Sequence, residues 1–154
     1  MARKVATPWR KVKYLLSAVI LTLPPWFYYQ SQNPVFPDAL EKKSANGFDF
    51  TPMPYDEKPP YQHDGKYVKD FLVMVNDGEV SDIRQAYLNI GPEPLPLDVL
   101  QEEELGILHG TRHGQHVHAL ASDSINDEDK LWLTVQTWKG DTFQVDWPLQ
   151  GGGL

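Results

Sequence analysis

YLLSAVILTLPPWFYY, residues 14–29, is the longest uncharged apolar run in the chain, and its reading decides how everything else is placed. Arg3, Lys4, Arg10, Lys11 and Lys13 precede it, and the residues beyond it have the opposite charge balance. A spanning helix wants ~20 apolar residues for a hydrocarbon core ~30 Å thick. The run supplies sixteen, so its ends must help. Lys11 and Lys13 can snorkel at one interface, and Trp26, Phe27, Tyr28 and Tyr29 read as an aromatic belt at the other. Pro24 and Pro25 would end the helix there. Leu15, Leu16, Val19 and Ile20 would face lipid. WFYYQSQNP offers no small-residue cleavage step, which favours an uncleaved anchor over a signal peptide or a soluble core helix. The basic flank places the N-terminus in the cytoplasm.

Of fourteen Lys and Arg, five precede residue 14, leaving nine against twenty-one Asp and Glu, a net of about −12. Such an acidic portion argues against nucleic acid as a partner. The chain has no cysteine, which removes disulfides and thiolate metal sites. No asparagine stands in a glycosylation context. These features together predict a single-pass bacterial inner-membrane protein with a periplasmic C-terminal domain, its partners being the lipid bilayer and a membrane protein complex.

The expected organisation is a basic tail (1–13), an anchor (14–29), a proline-rich stalk (30–66) and a small domain (67–150). Pro34, Pro37, Pro52, Pro54, Pro59 and Pro60 favour extended chain in the stalk. A short helix is expected between Asp38, in a capping-box pattern, and Asn46-Gly47, read as its stop. Phe48, Phe50, Tyr55 and Tyr61 are spaced along the stalk as apolar anchors. The fold class expected of the whole is α+β.

Within the domain, residues 67–75 (YVKDFLVMV) predict a strand ending at Asn76-Asp77-Gly78. Val80, Ile83, Tyr87 and Ile90 follow helical spacing, with a hairpin return strand as the alternative. Asp98 opens a second helix closing at Gly106, with Glu102, Glu103 and Glu104 on its solvated face. Residues 130–149 predict a hairpin turning at Lys139-Gly140-Asp141. That turn puts Leu133, Val135 and Thr137 on one face with Phe143, Val145 and Trp147. Trp132 and Trp138 fall on the polar face, as a candidate interaction surface.

Four of the five histidines lie in LHGTRHGQHVHAL, residues 108–120. A hairpin turning at His113-Gly114 pairs Arg112 with Gln115, Thr111 with His116 and His109 with His118. Strand alternation then sets His109, His116 and His118 on one face, where they could hold zinc, copper, nickel or iron. Solvent-facing histidines without a ligand, or a pH-sensitive surface, are the alternatives. Gly110, five residues and His116-x-His118 resemble the opening of the first cupin motif, whose histidines bind metal inside a β-barrel. Asp123 stands where that motif has Glu and no second motif follows, so neither fold nor activity is carried over.

No nucleophile elbow, His-Glu-x-x-His or phosphate-binding glycine loop occurs, and no catalytic residue is singled out. The functional expectation is a non-enzymatic accessory or assembly subunit. The alternative is a metal-binding or metal-delivery protein using the histidine face.

Overall fold

The computed structural model describes residues 8–33, 37–102, 105–111 and 113–149, the side chains of Arg10 and Lys11 excepted. Arg3, Lys4, Pro34, Glu103, Glu104 and Arg112, on which parts of the sequence reading rest, lie outside the described residues. The chain divides into two units, residues 1–35 and 36–154.

In the first unit, α1 (Pro8–Gln32) runs through Pro24 and Pro25 rather than ending at them. It closes about two turns later, where the Asn33 side chain donates to the Tyr29 carbonyl at 2.8 Å. No helix among the described residues is long and apolar enough to cross a membrane. The stretch dominated by aliphatic side chains is residues 15–23, ~14 Å of helix at ~1.5 Å per residue, about half a hydrocarbon core. Trp26, Tyr28 and Tyr29 carry polar atoms, and the sequence reading had counted them toward the apolar length. The membrane anchor therefore does not hold. Nor do the single-pass topology, the bilayer partner and the inner-membrane localisation that rested on it.

The second unit is mostly β rather than α+β with a stalk. Its described residues form nine strands in one curled, nearly closed, barrel-like sheet. Residues of the expected stalk form three of them: β1 (Lys43–Ala45), β2 (Phe48–Pro54) and β3 (Tyr61–His63). Asn46-Gly47 does not stop a helix. With φ of 49° and 82° it is the tight turn of the β1–β2 hairpin. Pro52 and Pro54 are tolerated because β1 pairs only Phe48 to Phe50, so beyond that β2 has a ladder on one side alone.

β4 (Lys66–Asp77) occupies the predicted strand and continues through the turn residues Asn76 and Asp77. The expected helix after it is a single 3-10 turn, η1 (Val80–Asp82), followed by β5 (Ile83–Gly91). Residues 86–90 are all buried, Ala86, Leu88 and Ile90 on one face and Tyr87 and Asn89 on the other. Burial on both faces erased the alternation that marks a strand. α2 (Leu97–Glu102) is the second expected helix, and it does not extend to residues 105 and 106. β6 (His109–Thr111), β7 (Gly114–Ala121), β8 (Lys130–Thr137) and β9 (Thr142–Pro148) complete the sheet.

Strand order is β1-β2-β4-β7-β5-β8-β9, with β3 on β4 and β6 on β7. The two ends of that order are tied together. Lys43 Nζ donates to the Asp146 carbonyl at 2.6 Å, and Trp147 Nε1 donates to the Glu41 carbonyl at 2.6 Å. Inward residues form the core: Phe50, Phe71, Val73, Leu88, Val117, Leu131, Leu133 and Val135 are fully buried. Phe48 and Phe143 stack at 6.1 Å between opposite ends of the strand order.

Candidate metal centre

Strand alternation builds this site on the outer face of the sheet. In β7, Gln115, Val117 and Ala119 turn inward, so His116 and His118 turn outward. In β4, Phe71 and Val73 are inward and Asp70 and Leu72 outward. The antiparallel register sets Asp70 opposite His118 and Leu72 opposite His116. On the other side of β7, His109 of β6 faces His116. On the far side of β4, the Asp64-Gly65 turn, with φ of 48° and 80°, folds β3 back and brings Tyr61 and His63 onto the same face. Four adjacent strands thus contribute to one patch.

His118 Nδ1 lies 2.5 Å from Asp70 Oδ1, and since a carboxylate can only accept, the imidazole carries the proton and donates. Tyr61 Oη donates to both oxygens of Asp70 at 3.1 Å. His109 Nε2 and His116 Nδ1 are 3.2 Å apart, and the rings of His116 and His118 meet edge to face at 4.6 Å. His63 stacks on His118 at 5.0 Å, and Tyr55 stands edge-on to His116 at 5.5 Å. One ligand atom each from Asp70, His116 and His118 lie within 4.8 Å of one another.

Burial pushes the His116 imidazole below the usual histidine range, and His118 and His109 add to that while Asp70 opposes it. A neutral ring has a lone pair for a metal, so His116 is ready to coordinate at neutral pH. Burial, then the bond to Asp70, raises the Tyr61 phenol, which keeps it a hydrogen-bond donor to the carboxylate. Two imidazoles and a carboxylate suit zinc or another first-row divalent ion and leave positions open. Nitrogens bound tetrahedrally at ~2.0–2.1 Å stand about 3.3 Å apart. The His109–His116 separation of 3.2 Å is close to that value, but His109 is not among the residues whose ligand atoms lie within 4.8 Å of one another, and its ring centroid is 6.4 Å from that of His118, so it flanks the site beside His116.

His109, His116 and His118 come together on the face that alternation predicted. The register differs: Thr111 pairs Gly114 and His109 pairs His116, a shift of two residues. A two-residue shift preserves parity, so the shared face survives while the cross-strand neighbour of His118 becomes Asp70. Asp70 and His63 were not singled out from the sequence, and Tyr61 was read only as an apolar anchor of the stalk. The rings project outside the sheet, whereas cupin histidines lie inside their barrel. Trp132 is held by its indole N–H donating to the Gly91 carbonyl at 3.0 Å, while Trp138 is 68% exposed. Leu15, Leu16, Val19, Ile20, Trp26, Phe27 and Tyr28 are exposed on α1. One family model, described as uncharacterised conserved protein UCP029505, matches residues 8–150. No curated protein and no solved structure matches the chain.

Proposed function

We propose that this chain, which belongs to the UCP029505 family of uncharacterised conserved proteins, binds a divalent transition metal through Asp70, His116 and His118, with His109 flanking His116. The observation that carries the reading is the convergence of a carboxylate and two imidazoles from two neighbouring strands within 4.8 Å. Tyr61 holds the carboxylate and His63 packs on His118, which is the kind of outer support that fixes ligand orientation. The role is non-enzymatic binding or delivery. His118 and Asp70 are 26% and 27% exposed, so the ligands sit on an open surface that excludes little water and lets an ion enter and leave.

Zinc titration of the full chain, purified on a removable tag without histidines, tests this. The expected result is one saturable site per chain. His116→Ala with His118→Ala should abolish it, and Asp70→Asn, which removes the charged ligand, should weaken it. Equal zinc binding by the wild type and the double variant, with both folded by circular dichroism, contradicts the reading.

A further inference from the structure

Lys69 precedes Asp70 in β4, but strand alternation turns its side chain inward, away from the histidine face. Its Nζ donates to the Lys58 carbonyl at 2.6 Å and to the Asp56 carbonyl at 3.0 Å, and the Asp56 carboxylate lies 3.6 Å away. Residues 56–58 belong to the exposed loop between β2 and β3. Burying an ammonium costs desolvation that an apolar side chain of the same volume avoids. What the lysine supplies in return is a fixed position for the two loop carbonyls.

That position reaches the histidine face through Tyr61. β3 has three residues and, among the described residues, pairs β4 alone, so its own ladder holds it weakly. One end of β3 is tied by the Asp64-Gly65 turn. The other follows Lys58 by only Pro59 and Pro60, whose rings restrict the backbone, and Pro60 is buried. A fixed Lys58 carbonyl therefore sets where Tyr61 begins. Tyr61 Oη donates to both Asp70 oxygens and stands 3.4 Å from His118 Nδ1. Tyr55, at the far end of the loop, is held separately, by its own N–H donating to the Asp70 carbonyl at 3.0 Å.

We propose that Lys69 is a positioning residue of the histidine face: from inside the sheet it clamps the 56–58 loop and so keeps Tyr61 on the Asp70 carboxylate. The inference rests on the metal reading for what that carboxylate then binds. Among the described residues Lys69 makes no hydrogen bond to Asp70, His116 or His118, so its influence passes through two carbonyls, two prolines and a phenol.

Two measurements on the full chain test this. Without metal, Lys69→Met should speed amide hydrogen exchange in the 61–68 hairpin by about tenfold or more while leaving β8 unchanged. In zinc titrations, Lys69→Met and Tyr61→Phe should each weaken binding by about tenfold. The two together should weaken it no more than Tyr61→Phe alone, because both act along one path. A residue that merely supported the fold would give additive losses. Pro59→Gly, at an exposed residue, loosens the same link without touching the core and should shift both readouts the same way, even if Lys69→Met does not fold. Hairpin exchange unchanged in the folded variants, or additive zinc losses, overturns the proposal. A wild-type chain that takes up no zinc contradicts the metal reading alone, and the exchange measurement then decides the clamp.

Discussion

Lys69 sits on the inward face of β4 and is 2% exposed, an unusual place for an ammonium. Its Nζ donates to the carbonyls of Asp56 and Lys58 at 3.0 and 2.6 Å, and the Asp56 carboxylate lies at 3.6 Å, so it pins the 56–58 loop. Burial pushes it below the usual lysine value of 10.5, with Asp56 pulling the other way. A lowered folded pKa means that the unfolded chain holds the proton more tightly between the two values. Stability therefore rises with pH as the folded pKa is passed and on toward about 10.5. Tyr61 and Tyr87, raised by burial, act in the opposite direction, but they are common to wild type and Lys69→Met. The difference in unfolding free energy, wild type minus Lys69→Met, should climb by urea titration as pH rises toward about 10.5 and level off above it. A flat or falling difference contradicts the assignment. At this scale the metal face was half legible. Alternation alone grouped the three histidines, since parity does not depend on the turn. Asp70 meets His118 across 48 positions, a contact that no local pattern encodes. Its one signal was a carboxylate in the middle of YVKDFLVMV.

Elements whose two faces differ were readable, and those buried on both faces were not. The β8–β9 hairpin shows the first case. Leu133, Val135 and Thr137 do share a face with Phe143, Val145 and Trp147, although Gln136 pairs Thr142 and the connection is longer than expected. β5 shows the second, where full burial of residues 86–90 left a spacing that mimics a helix. Turn chemistry was misassigned at Asn46-Gly47, because the prolines following it suggested a stalk. Two glycines now separate conformational from steric cost. Gly47 has φ of 82° and open space around it, whereas Gly78 has φ of 86° and the Phe48 ring in the way. Gly47→Ala should cost about 1–2 kcal/mol, the strain of a left-handed alanine. Gly78→Ala should cost about 1–3 kcal/mol more, from the overpacking. Equal losses in denaturant melts would show that the Phe48 contact does not matter.

For the whole molecule, composition proved a poor guide to architecture. Prolines suggested an extended stalk. Residues 43–54 instead form two strands of the sheet, because Phe48 and Phe50 are core side chains and Pro52 and Pro54 occupy the part of β2 that β1 does not pair. The helix of the first unit misled for a related reason, its aromatic end lending length but not apolarity. A curled sheet turns each strand's alternate residues outward, so four strands with little else in common can assemble one polar patch on the exterior. That patch carries the account's central claim, and zinc-edge X-ray absorption on the full chain tests it most directly. The account predicts a mixed nitrogen and oxygen shell at about 2.0–2.1 Å with imidazole outer-shell scattering, lost in His116→Ala/His118→Ala. A shell of oxygens alone, without imidazole scattering, or the same spectrum from the variant, would contradict it.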